Sequence, residues 1–203
     1  MFSGAQLSLY PMSDDFVGII LTAVKALDPY RDRLRIETDD ISTLVVGPPR
    51  LVVEASSALF LAAATTGTHT AMSALLSRGC PGEPDDPICQ GGTVGTAQGD
   101  LSDRVQRTLA AISDAPVTGQ TVTAQLSYYP LGDGSHMDEI YAVIDVLKAS
   151  GVHAGAKHFC TKLRGDAGPV FATIAEVFAG FGGSDAHITI DLTVSANSPS
   201  QAA

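Results

Sequence analysis

Apolar and polar positions change period several times along the chain. Ala5 to Tyr10 alternates with period two and predicts a strand. Pro11 ends it, because proline removes a ladder donor. Ser13, Asp14 and Asp15 then supply an N-cap and first-turn negative charge. Phe16, Ile19, Ile20, Ala23, Val24 and Leu27 follow at helical spacing. Leu34 to Glu37 and Ile41 to Val46 read as two strands joined by a turn near Asp39-Asp40. Gly47-Pro48-Pro49 opens a second helix, which presents Leu51, Ala55, Ala58, Leu59 and Ala62. His69 to Ser77 reads as a closing strand.

The same pattern then recurs. Ala5 to Met12 reads AQLSLYPM, and Ala124 to Leu131, 119 positions later, reads AQLSYYPL. After one deletion, Ser42-Thr43 falls on Cys160-Thr161, Gly47 on Gly165, Phe60 on Phe178 and His69 on His187. The period is too long for a solenoid, whose units are typically about 20 to 50 residues. It predicts two copies of one small unit. The second copy has strands Thr121–Tyr129, His153–His158, Cys160–Arg164 and His187–Ser195, and helices Met137–Lys148 and Val170–Phe181. Asp166 and Pro169 cap and start the latter helix. The order βαββαβ, twice, predicts an α+β fold of two tandem ferredoxin-like repeats, each an antiparallel sheet with both helices on one face.

The expected organisation is a first repeat over 1–81, a loop and linker helix over 82–120, and a second repeat over 121–203. Gly82 to Gly99, rich in Gly, Pro and Asp, reads as a loop. Asp100 or Ser102 caps a short helix whose stripe of Leu101, Val105, Leu109 and Ile112 needs covering by the body.

Composition narrows the function classes. The 203 residues are 45% hydrophobic, which suffices for a core. Twelve Lys and Arg against 22 Asp and Glu give a formal charge of −10, without the basic footprint of a nucleic-acid binder. The absence of Trp and the 6% aromatic content offer no stacking platform for nucleic acid. The apolar runs Phe16–Leu27 and Leu51–Ala64 are interrupted by Lys25 and Glu54 and are too short to span a bilayer. No basic n-region marks a secretory signal, and three cysteines make no disulfide framework, so a reducing cytoplasm is expected.

The strand faces nominate the chemistry. Leu7 and Leu9 face the helices, leaving Gln6, Ser8 and Tyr10 on the open face. In the last strand His187, Thr189, Asp191, Thr193 and Ser195 face away. A polar open face is ordinary solvation. Return of the same Gln, Ser, Tyr and His in both copies points beyond that, to packing against another surface or to a pocket that orients a small ligand. A second candidate is Thr38-Asp39-Asp40-Ile41-Ser42-Thr43, whose carboxylate and hydroxyls suit an amino-substituted ring. The alternative there is a simple Asx turn. The second copy carries Lys157-His158-Phe159-Cys160-Thr161 at this place, without the acidic pair.

Enzyme constellations are weak. Cysteine and histidine spacings do not suit zinc, and Gly91-Gly92-Thr93-Val94-Gly95 precedes no crossover helix. Cys160, with His158 two residues away on the same strand, is a conceivable nucleophile, but a lone strand cysteine is usually a small buried hydrophobe.

Ser8-Leu-Tyr-Pro-Met12, Thr38-Asp-Asp-Ile-Ser-Thr43, Gly79-Cys-Pro-Gly82, Gly165-Asp166 and Ser195-Ala-Asn-Ser-Pro-Ser200 occur in order at fitting separations. In these motifs the chain, from about Gly4 to Ser200, resembles the YkoF family. The resemblance implies tandem ferredoxin-like repeats that form a homodimer, with a site in each repeat for thiamin or its hydroxymethylpyrimidine moiety. It implies an accessory role beside a transporter for thiamin precursors, and neither catalysis nor a cofactor. The expected site-one residues are Ser8, Tyr10, Asp39, Ser42 and Thr43; those of site two are Ser127, Tyr129, His158 and Thr161. A ferredoxin-like regulatory module for a different small molecule is the alternative.

Overall fold

A computed structural model describes residues 2–80, 99–131, 136–183 and 186–200. The first repeat comprises β1 (Phe2–Pro11), α1 (Phe16–Lys25), β2 (Arg35–Thr38), β3 (Thr43–Val46), α2 (Pro49–Ala64) and β4 (Thr70–Cys80). A linker helix, α3 (Leu101–Ser113), leads into the second. That repeat comprises β5 (Thr121–Leu131), α4 (His136–Ala149), β6 (His153–Ala156), β7 (Thr161–Asp166), α5 (Ala167–Gly180) and β8 (His187–Ala196). The predicted loop over 82–98 lies outside the described residues.

All eight strands join one antiparallel sheet in the order β2-β3-β1-β4-β8-β5-β7-β6. Each half has the strand order of a ferredoxin-like unit, and β4 against β8 is the seam between them. Ala74 stands opposite Leu192, its counterpart in the duplication, so a pseudo-twofold axis passes through this pair. Pairing of the two edge strands satisfies backbone groups that each unit alone would leave open.

Period-two burial follows the expected faces. Leu76, Met72, Ile188, Ile190, Leu192 and Val194 are buried beneath the helices. One hydrophobic cluster runs through both repeats. α2 and α5, duplicates of each other, pack across the axis: the Phe60 and Phe171 ring centroids are 6.0 Å apart, and the Arg50 guanidinium grips Glu176 through two bonds of 2.7 and 2.8 Å. The bidentate geometry fixes register as well as adding energy.

The caps depart from expectation at α1. Asp15 is its N-cap residue but makes no side-chain cap bond, and the Ser13 hydroxyl accepts from Asp15 N instead. Asp100 and Asp166 cap as expected, accepting from Asp103 N and Gly168 N. Asp166 also accepts from Thr118 N, Thr118 Oγ1 and Gly119 N at 2.6–3.0 Å, clamping the linker to the second repeat. Gly168 permits this approach, since a Cβ there would meet the Pro116 carbonyl oxygen at 1.7 Å. Within α3, Ile112 is buried, and Leu101, Val105 and Leu109 pack against the core, as the stripe requires. Among the described residues, no helix is long and apolar enough to cross a membrane.

Candidate functional site

Strand lengths create the site. β7 begins at Thr161, opposite Leu126 of β5, while β5 runs on to Leu131. Beyond that point Ser127, Tyr128 and Tyr129 have no strand partner on this side. The turn from Lys157 to Cys160 curls past the gap, closed by Lys157 N donating to Cys160 O. α4 lies over it. The resulting notch is a cleft of about 280 Å³ whose apolar wall is Ile140, Val143, Ile144 and Leu147. Its polar rim includes Ser127, Tyr129, His158 and Thr161. All four expected site-two residues therefore meet at one place.

The notch differs in place from the open sheet face on which alternation puts Ser127 and Tyr129. Thr161 stands opposite Leu126, a helix-facing residue, whereas Ser127 and Tyr129 alternate to the other side. Residues of both faces reach the cleft because it opens at a gap in the sheet. Thr43, the site-one counterpart of Thr161, is 4% exposed and faces the helix layer, where its hydroxyl lies 3.1 Å from Thr38 Oγ1.

His158 and Cys160 do not share a strand. β6 ends at Ala156, so both belong to the turn. Alternation through 153–158 predicted a longer strand, but the chain leaves the ladder where β7 begins. Cys160 is partly exposed rather than buried, and its Sγ lies 4.0 Å from Gln125 Oε1. Ser127 donates to the Phe159 carbonyl at 3.0 Å, which ties the turn to β5. It leaves the hydroxyl oxygen free to accept. Tyr128, buried at the inner wall, has its phenol pushed up by burial and by the Glu139 charge.

Site one is built on the equivalent turn. Asp39 Oδ1 accepts from Ile41 N at 2.9 Å, Ser42 N at 2.8 Å and Ser42 Oγ at 3.3 Å. This is the Asx turn of the alternative reading. The bonds from Ile41 and Ser42 hold the Asp39 carboxyl below the usual carboxylate range. Oδ2 has no partner among the described residues. Gln6 donates to Ser42 Oγ at 2.5 Å, the counterpart of the Gln125–Cys160 contact. Ser8 is partly exposed and Tyr10 half-exposed on β1, past the start of β3. Strand β3 begins at Thr43, not Ile41, so Ile41 stands in the turn, 73% exposed.

One residue escaped the pattern reading. Phe159 is 91% exposed, the counterpart of Ile41, and lies at the cleft with its ring centroid 6.4 Å from that of His158. A single exposed apolar side chain is ordinary on a protein surface, so it is the place of Phe159 at the cleft that marks it. The signal was available: an apolar residue at the same turn position in both copies, flanked by polar ones.

Comparison with known proteins agrees with this duplicated geometry. The model of the YKOF-related family matches residues 2–83 and 121–201, one match for each repeat. A Bacillus subtilis (strain 168) protein named "Putative HMP/thiamine-binding protein YkoF" is 34% identical over 199 residues, covering 98% of this chain and 92% of its own length. Two matched halves, one for each repeat, and a relative 34% identical over nearly the whole chain place this chain in the YkoF-related family.

Proposed function

We propose that the protein binds thiamin or its hydroxymethylpyrimidine moiety without transforming it, one molecule at each sheet notch. The observation that carries this reading is the convergence of Ser127, Tyr129, His158 and Thr161 on a single apolar-walled cleft. Its volume of about 280 Å³ sits at the small end of ligand pockets and suits a single substituted ring. Ile140, Val143, Ile144 and Phe159 bury the ring faces. Ser127, Thr161 and His158 serve its amino group and nitrogens. At site one the Asp39 carboxylate accepts from the exocyclic amino group, and Ser42 with Ser8 supplies hydroxyls. The two sites then differ in affinity, because only site one offers a carboxylate. The −10 charge favours the approach of a thiazolium cation.

A binder of this kind, cytoplasmic and dimeric, serves as an accessory to uptake or salvage of thiamin precursors. The similar Bacillus protein, by its name, supports the ligand class. Catalysis finds no support in the turn. His158 and Cys160 make no hydrogen bond to each other, and no base touches the thiol among the described residues. Titration calorimetry with thiamin and with hydroxymethylpyrimidine tests the reading. Two unequal sites are expected, with ligand recovered unchanged; absence of heat at millimolar ligand overturns it.

A further inference from the structure

A second cleft lies at the opposite end of β5, on the open face of the sheet. It encloses about 400 Å³ between β5, β7 and the segment after β8. Lys162 and Arg164 of β7 line it, together with Thr121, Thr123, Ser195 and Ser198. The sheet register sets them side by side. Arg164 is opposite Thr123, and Thr123 is opposite Ser195, so a guanidinium and two hydroxyls form one row across three strands. Lys162 stands two residues along β7 on the same face.

Three features separate this cleft from ordinary surface. Neither Lys162 nor Arg164 is ion-paired among the described residues. None of the lining residues is acidic, in a chain with 22 carboxylate side chains against 12 bases. And the first repeat lacks the arrangement, for the duplicates of Lys162 and Arg164 are Leu44 and Val46. The second repeat therefore carries a pair of cations, set among hydroxyl donors, that the fold itself does not require.

We propose that this cleft binds a small multiply charged oxyanion of the phosphate class, independently of the notch. Arg164 and Lys162 supply charge-assisted donors to its oxygens, and the Thr123, Thr121 and Ser198 hydroxyls complete the shell. The site is partly open to solvent, so binding weakens as salt rises.

Inorganic pyrophosphate is the probe. Titration of the full chain is expected to show one site, weakened roughly tenfold or more in Lys162→Leu/Arg164→Val, which restores the first repeat's residues. Lys162→Gln/Arg164→Gln keeps the surface polar and is expected to lose binding equally. Titration of thiamin is expected to be unchanged in both variants, so failure here and failure of the notch reading are separable. The proposal is overturned by no pyrophosphate binding at millimolar concentration, by equal binding in the variants, or by tighter binding of malonate than of pyrophosphate. It is also overturned if the variants dissociate an oligomer while pyrophosphate has no effect, since the cations would then hold a second copy.

Discussion

His69 Nε2 lies 3.1 Å from Ser195 Oγ across the seam between β4 and β8. Its duplicate, His187, lies 2.8 Å from Ser77 Oγ on the other side of the pseudo-twofold axis. The repetition of histidine in both copies thus has a structural cause: each ring binds the other repeat. Ser195→Ala is expected to lower stability by about 0.5–1.5 kcal/mol, the net worth of one hydrogen bond, and to leave thiamin binding unchanged. Urea denaturation and calorimetry on the same variant decide it. Unaltered stability with lost thiamin binding would return the histidine to the ligand.

Much of the fold was legible because local signals agreed. Alternation in Ala5–Tyr10 and helical spacing from Phe16 are short-range, and the duplication supplied each reading twice. The seam was not legible. Thr193 reads as a polar open-face residue whether β8 ends in solvent or pairs with β4, for the ladder bonds of edge pairing come from the backbone. The notch was missed for a related reason. It depends on β5 outrunning β7, a difference in strand length that alternation through His158 concealed. Ser127, Tyr129 and Thr161 carry a signal in the sequence alone, since Ser8, Tyr10 and Thr43 repeat them; His158 carries none, because its counterpart is Asp40.

Phe159 and Asp39 separate the two notches. Phe159→Ala is expected to weaken thiamin at the second site several-fold, as a lost ring contact is worth about 0.5–1.5 kcal/mol, with no loss of stability since the side chain is 91% exposed. Asp39→Asn preserves an acceptor for Ile41 N and Ser42 N, so the turn persists while the charge is lost. It is expected to weaken site one more than site two. Two-site fits of the calorimetric isotherms measure both, and equal loss at both sites in either variant contradicts the assignment.

Asp166 gives stability a dependence on acid. Partial burial raises its pKa, but hydrogen bonds from Thr118, Gly168 and Gly119 outweigh that and hold the carboxyl below the usual carboxylate range. A depressed folded-state pKa contributes stability above the unfolded value of about 3.9, lost as pH falls through the folded value. Wild-type stability is therefore expected to fall between about pH 5 and the folded pKa, and Asp166→Ala to flatten that part of the curve. At neutral pH the variant is expected to cost about 1–2 kcal/mol, through the lost cap of α5 and the released linker. Urea midpoints measured across the acid range test both; parallel curves for the two proteins would refute the clamp.

Glu139 is a buried carboxylate of the second repeat. It is 6% exposed, accepts from Gly182 N at 3.0 Å, and meets Arg104 Nη1 at 2.7 Å. Arg78, also buried, donates to the Phe181 carbonyl, and burial draws its pKa down while the Glu139 charge supports it. One carboxylate thus faces the buried guanidinium of Arg78 on β4 and the partly buried one of Arg104 on α3. Removing it leaves both without a counter-charge, and Glu139→Ala is expected to cost about 3–5 kcal/mol. Replacing both partners of the pair, Glu139→Leu with Arg104→Leu, removes one cation along with the anion and is expected to recover part of that loss. A double-mutant cycle in urea separates the pair from its surroundings. A loss under about 1 kcal/mol for Glu139→Ala would mean that water reaches the cluster and relieves the unpaired arginines.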